Sequence, residues 1–367
     1  MACRRMTYRR LKTVCFSIVI FVCFVMPLTR MRTIYCLNFS QNYPLKEYLP
    51  FRTFHYPLDI DFNTLEENVE KGTVDIDPIN VFPYSYKKPL DDICDSAENT
   101  FLLFMIKSAP GNFDRRKAIR ETWTNKTYFP NYVIRHVFLL AGTTNETIHE
   151  RVSQEKQIHH DIVEMTYIDN YYRNTDKTTG GINWCVQYCP TAKFVSLVDD
   201  DFYVATDLVL EYLEGLPQDI YRSLFVGRVG SQDPQRCPDD KWYMSLKDYK
   251  FDLYPPFVAG GAILMSMEFV KRLHIAIPYT KPFKFDDVFL AIVVYKLGVS
   301  PIDHPEIHIT PVSYKDVENF QTALMSHGYE DPNELRTAWY YHQHLDQLMI
   351  LDIQGKNGLD GYDVRNK

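Results

Sequence analysis

Twelve residues near the middle of the chain, Lys193–Val204 (KFVSLVDDDFYV), constrain its architecture most. Phe194, Val195, Leu197 and Val198 make a β-rich apolar run, the pattern of a strand buried on both faces. Asp199, Asp200 and Asp201 stand where that strand runs out. Adjacent carboxylates repel one another, so they are stable together only when solvated or neutralised by a cation. The plain reading is a solvated acidic turn. The alternative follows from position: ligands bind at the carboxyl ends of strands in an α/β sheet, and hard oxygen donors there suit Mg²⁺ or Mn²⁺ carrying phosphates.

The flanking pattern supports an α/β fold. Phe101–Ile106, Tyr132–Leu140 and Asp161–Ile168 read as strands; Thr147–His159 and a stretch through Trp184 read as helices. Such alternation implies a mainly parallel sheet leading into the central strand. Just after the first strand, Asp114 can cap a helix carrying Arg115, Arg116, Lys117, Arg120 and Trp123. That basic cluster could meet a nucleotide diphosphate, or could be a solvated helix face with Trp123 in the core. Past the acidic triplet come a helix at Asp207–Glu214, a strand in LFVGRV and an aromatic segment, KWYMSLKDYK. A glycine-bearing strand, YPPFVAGGAILMS, follows. Gly260 and Gly261 permit close approach of backbone to a ligand, or a bulge. Asp286 and Asp287 open an apolar helix and can be read as its cap. The tail segment YYHQHLDQLMILDI reads as a strand passing into a last helix, and pattern alone singles out none of the histidines at 304, 308, 327, 342 and 344.

Charge and topology narrow the function. A formal charge of -7 leaves no basic footprint, so nucleic acid is an unfavourable partner. Arg4, Arg5, Arg9, Arg10 and Lys12 precede an uncharged run, Thr13–Thr29. This division suggests a cytoplasmic tail at 1–12, a transmembrane signal anchor at 13–29, a lumenal stem at 30–92 and a catalytic domain at 93–367. The heavier basic cluster on the N-terminal side orients the chain as a single-pass type II protein. The shortness of the span favours thin membranes such as the Golgi. Asn38, Asn125 and Asn145 open N-x-S/T triplets compatible with a lumenal domain. Of eight cysteines, Cys36, Cys94, Cys185, Cys189 and Cys237 face the lumen, an odd number, and Cys36 leaves a homodimer open.

Taken in order, the motifs resemble the β-1,3-glycosyltransferases of glycosyltransferase family 31, over roughly Cys94–Asp352. Arg116, Ala118, Ile119, Arg120, Thr122 and Trp123 match R-x-A-I-R-x-T-W. Asp169, Tyr171, Lys177 and Trp184 fit the next block, and Cys189, Pro190, Ala192 and Lys193 lead into the triplet. Lys241, Trp242, Tyr243 and Ser245 resemble K-W-Y-x-S; YPPFVAGGAILMS and FDDVFLA resemble two later motifs, the second being E-D-V-x-x-G.

The resemblance implies a GT-A type α/β sandwich and inverting transfer of a hexose from UDP-galactose, or UDP-N-acetylglucosamine, to a glycan acceptor on glycoprotein or glycolipid. It further implies Mn²⁺ bound by Asp201, with Asp199 and Asp200 at the ribose and metal, and Asp287 as general base. Arg116, Arg120 and Trp242 are expected near the nucleotide sugar, and His342, with His344 as alternative, at the metal. Departures from the family pattern are Asp286 for Glu, Ala291 for Gly, Leu197 for Lys, and Val258 and Val293 for Cys. Joint loss of the last two fits loss of one disulfide, leaving Cys94 with Cys189. A catalytically silent lumenal homologue and a metal-dependent phosphohydrolase are the competing readings.

Overall fold

Strand β4 (Phe194–Asp199) lies at the middle of the principal sheet and is buried along its length until Asp199. The computed structural model describes residues 61–87, 90–94, 99–259 and 261–345. The proposed tail and membrane anchor, most of the stem, Cys36, Asn38, Gly260 and residues 346–367 lie outside them. The described residues fall into two compact units, Gln232–Tyr254 and the remainder.

In the larger unit β1 (Leu102–Lys107), β2 (Ile134–Gly142) and β3 (Ile162–Ile168) form the parallel half of the sheet, in the order β3-β2-β1-β4. On the other side of β4 the expected mainly parallel sheet becomes mixed. Here β9 (Ala262–Ser266) runs antiparallel to both β4 and β6 (Phe225–Gly227), and β10 (Ile302–Asp303) closes the edge. A second sheet pairs β5 (Phe202–Val204), directly after the acidic triplet, antiparallel with β12 (Met325–His327), and β12 with β11 (Ile307–His308). A two-stranded ribbon joins β7 (Val229–Gly230) to β8 (Phe257–Val258).

Helices cover the sheet on both faces, as buried strands require. On one face Leu102, Phe104 and Ile106 share a core with Ile119 of α2 (Phe113–Glu121), Trp123, Val209 of α5 (Thr206–Glu214) and Trp339 of α9 (Pro332–Gln343). On the other, α4 (Asn174–Tyr188) packs against β1, β2 and β3 and meets α6 (Met267–Ala276). Between β2 and β3 lies α3 (Glu146–His159); α7 (Asp286–Lys296) and the short α8 (Val317–Phe320) complete the helices C-terminal to α6. Cys94 and Cys189 form a disulfide that ties the lead-in of β1 to the end of α4.

Two observations change the expected layout. Residues 340–343 are helical, because Asp331 caps the amide of Asn333 and Pro332 opens α9 at its first turn, so the helix runs on through Gln343. Part of the stretch assigned to the stem is also folded. Helix α1 (Phe62–Lys71) buries Phe62 and Leu65, and its Glu66 meets Arg272 at 2.6 Å. A strap at 79–87 then adds to the exposed edge of β3: Thr166 donates to Ser85 O at 3.0 Å and Lys87 N to Glu164 O at 2.8 Å. Covering this edge removes an open pairing surface.

Candidate functional site

The site is built at the carboxyl ends of β1 and β4. Their parallel register sets Lys107 beside Asp199, on the same face. Lys107 is buried; its ammonium lies 2.9 Å from Asp199 Oδ1 and 2.6 Å from Asp286 Oδ2, at the start of α7. Thr178 of α4 donates to the same Asp286 oxygen at 2.8 Å. Burial alone would push the Lys107 ammonium down, but the two carboxylates outweigh it and hold the cation well above its ordinary value. For Asp199, burial dominates over Lys107 and lifts its carboxyl to about 6. Gly261 backs onto this carboxylate with φ +73°; a Cβ there would come within 2.2 Å of Asp199 Oδ2, so only glycine fits.

Asp287 follows directly. Its Oδ1 accepts from the Val288 amide at 2.7 Å, and the side chain is half-buried. Burial, and then the charge of Asp286, push its carboxyl up to about 6. That is a value suited to a base working near neutrality.

The middle and last aspartates have separate surroundings. Asp200 is buried and fully engaged: Ser108 Oγ at 2.6 Å and Asn112 Nδ2 at 2.9 Å donate to Oδ2, and Arg115 at 3.0 Å to Oδ1. It pins the loop after β1. Asp201 faces His327 of β12, with Oδ2 3.4 Å from Nε2. Burial would raise the Asp201 carboxyl; its hydrogen bond to His327, aided by Arg115, brings it below the ordinary value. The Asp201 carbonyl accepts from the amides of Gly328 (3.1 Å) and Tyr329 (2.8 Å), which anchors the end of β12 against the triplet. Gly328 has φ +95°, a conformation that lets the chain turn away at once.

A divalent cation fits this corner. Asp201 Oδ1 is buried without a hydrogen-bond partner, and a carboxylate beside an imidazole is a donor set for Mn²⁺. Among the described residues no three His, Cys, Asp or Glu side chains converge as a metal cage. The corner offers an ion two protein donors, a carboxylate oxygen and an imidazole nitrogen.

Several expected residues have protein partners of their own. His342 does not reach Asp201: α9 directs its Nε2 to Asp207 of α5, at 2.9 Å. His344 is half-buried, its Nδ1 2.8 Å from Tyr340 O; one helical turn cannot aim residues two apart the same way. Arg116 is fully buried, with all five N–H groups satisfied by Glu155, Ser108, Ala109 and Pro110. Arg120 is held by Asp161 at 2.6 Å and Glu155 at 2.7 Å. Both arginines brace the loop and helix through these partners. The guanidinium that borders the triplet is that of Arg115, a quarter exposed. Trp242 lies in the smaller unit, half exposed, its amide bonded to Asp240 Oδ1 at 2.7 Å.

Sequence reasoning therefore missed Lys107 and His327 as site residues, and had Arg115 only as one member of the basic cluster. The strand register carried the signal for Lys107. His327 could have been found only from the pairing of β5 with β12.

The sequence model described as Galactosyltransferase matches residues 114–305. The protein named beta-1,3-galactosyltransferase brn from Drosophila melanogaster is 34% identical over 289 residues, spanning 78% of this chain and 86% of its own length. Human beta-1,3-galactosyltransferase 1 is 29% identical over 274 residues, 74% of this chain and 83% of that protein. Human lactosylceramide 1,3-N-acetyl-beta-D-glucosaminyltransferase is 33% identical over 217 residues, 57% of each chain. Among solved structures, the WbbM bifunctional glycosyltransferase aligns with a TM-score of 0.41 at 12% identity, over 69% of this chain and 52% of that one.

Proposed function

The chain belongs to the galactosyltransferase family, the β-1,3-galactosyl- and N-acetylglucosaminyltransferases of glycosyltransferase family 31, and from that premise we propose that it is a GT-A type enzyme moving galactose from UDP-galactose to a glycan hydroxyl with inversion, in β-1,3 linkage. UDP-N-acetylglucosamine is the second donor of choice. As a family member it is a glycosyltransferase, using a nucleotide sugar and a glycan acceptor. The observation that carries the finer reading is the separation of surroundings at the acidic end of the sheet: Asp201 pairs with His327, whereas Lys107 pairs with Asp199 and with Asp286, the neighbour of Asp287.

Asp201 and His327 would hold Mn²⁺, whose charge would stabilise UDP as a leaving group. Arg115 contributes a further cation at the triplet for the diphosphate. Asp287 accepts the proton of the acceptor hydroxyl as its oxygen bonds to the anomeric carbon, while the bond from that carbon to the diphosphate breaks and its electrons leave with UDP. A base on the face opposite the leaving group suffices for inversion, without a covalent intermediate. We place the enzyme in the Golgi membrane, single-pass and type II, on the basic cluster before the apolar run at 13–29.

The experiment is a donor screen with UDP-galactose, UDP-N-acetylglucosamine and UDP-N-acetylgalactosamine, with Mn²⁺ and simple glycoside acceptors. Consumption of one donor, stopped by a chelator, supports the proposal and names the sugar. Well-folded protein that neither binds nor consumes any of them would favour a silent homologue.

A further inference from the structure

The two ends of the site leave one place for the transferred hexose. Its anomeric carbon has to lie between the diphosphate, beside Asp201, and the acceptor hydroxyl, beside Asp287. Next to Asp201 in the triplet and to Asp287 at the start of α7 stand Asp199 and Asp286, both held by Lys107 of β1. Their hydrogen bonds are unevenly shared. Lys107 takes up Asp199 Oδ1 and Asp286 Oδ2, and Thr178 also donates to Asp286 Oδ2. Among the described residues no side chain donates to Asp199 Oδ2 or Asp286 Oδ1. Yet a third of the Asp199 side chain and 18% of the Asp286 side chain remain accessible.

We propose that Lys107 is a positioning residue for donor-sugar selectivity: by fixing one oxygen of Asp199 and one of Asp286, it sets the spacing of the two remaining oxygens that accept hydroxyl hydrogen bonds from the hexose. The inference deepens the transferase reading above and rests on it. Its physical basis is preorganisation. Free carboxylates at the end of a strand and the start of a helix would each sample several rotamers, and a pocket that discriminates hydroxyl positions needs its acceptors fixed before the sugar arrives. A single buried ammonium shared by both carboxylates locks them to each other, with β1 and Thr178 as the rigid supports. The lock also explains a short carboxylate at 286: Oδ2 already meets Lys107 at 2.6 Å. A longer side chain there would have to fold back or displace the ammonium.

The test uses the full-length chain, with Mn²⁺, and measures affinity for UDP alone beside kcat/KM for UDP-galactose and UDP-N-acetylglucosamine. Lys107→Met breaks the lock, and the isosteric Asp286→Asn, whose amide oxygen still accepts from Lys107, turns the remaining acceptor into a donor without changing shape. Both are expected to leave UDP affinity within about twofold while shifting the ratio of kcat/KM for the two donors by roughly tenfold or more, with Lys107→Arg restoring part of it. Parallel weakening of UDP and both donors in each variant, or an unchanged donor ratio, overturns the inference and makes Lys107 a structural residue only. If the unmodified protein binds UDP but neither sugar donor, the transferase reading falls, and the inference with it.

Discussion

Replacing Arg116 by methionine separates support from ligand contact at the nucleotide end of the site. The guanidinium is wholly buried and donates to Glu155 at 2.7 Å, to Ser108 Oγ at 3.0 Å, and to the carbonyls of Ala109 and Pro110 at 2.7 and 3.1 Å. Breaking a buried ion pair from one side typically costs about 3–5 kcal/mol, because a charge is left without its partner. Here Glu155 keeps Arg120 at 2.7 Å, so the low end applies, about 3 kcal/mol, or a fall in melting temperature of roughly 6–12 °C. Met fills most of the volume, so cavity formation adds little. Calorimetry for stability and titration with UDP and Mn²⁺ below the transition read the two effects separately. Arg116→Met is expected to lose stability and keep UDP affinity within about tenfold; Arg115→Met, at a partly exposed position, is expected to do the reverse. An Arg116→Met protein with unchanged melting temperature and lost UDP binding would refute the reasoning and return Arg116 to the nucleotide.

Further outcomes follow from the same geometry. His327→Ala is expected to lose Mn²⁺-dependent UDP binding, while His342→Ala keeps it and loses stability through Asp207; the opposite pattern in paired titrations would restore His342 as the ligand. With its carboxyl raised to about 6, Asp287 must be deprotonated to act, so kcat should fall about tenfold per unit as pH drops below 6 and level off above it. A flat profile from pH 5 to 8 would remove Asp287 as the titrating base. A secreted fragment starting near Pro89 discards Phe62, Leu65 and the Glu66 partner of Arg272. The loss is at least about 5 kcal/mol, comparable with a whole domain's stability, so that fragment should aggregate where one starting at His55 stays soluble. Equal yields and melting temperatures of the two would contradict the fold's reported boundary.

The legible parts of this chain were those whose chemistry is local. A buried apolar run ending in three carboxylates announces both β4 and its ligand end, and the strands at 102–107, 134–142 and 162–168 are found by composition within two residues of where they lie. The Cys94–Cys189 bridge agrees with the pairing implied by the family resemblance. The parts misjudged depend on direction rather than composition. Arg115 and Arg116 are neighbours on one helix, yet about 100° of rotation sends the first toward the triplet and the second into the core. The segment from Tyr340 reads as a strand, a state that Tyr340 and Tyr341 favour; the Asp331 cap and the contacts of α9 override that propensity. Lys107 falls just past the apolar run Phe101–Ile106, and its partners, Asp199 and Asp286, are 92 and 179 residues further on. The strap at 79–87 has no periodicity of its own; the open edge of β3 gives it a shape.

The most direct test of the central claim is to follow the product's anomeric configuration by NMR as the enzyme acts on a UDP-α-hexose with Mn²⁺ and a glycoside acceptor, beside an Asp287→Asn control. The account predicts a β-linked product from the unmodified protein, formed without build-up of a glycosyl-enzyme, and a control that still binds donor but does not turn over. An α-linked product, or a control with near-normal turnover, would contradict it.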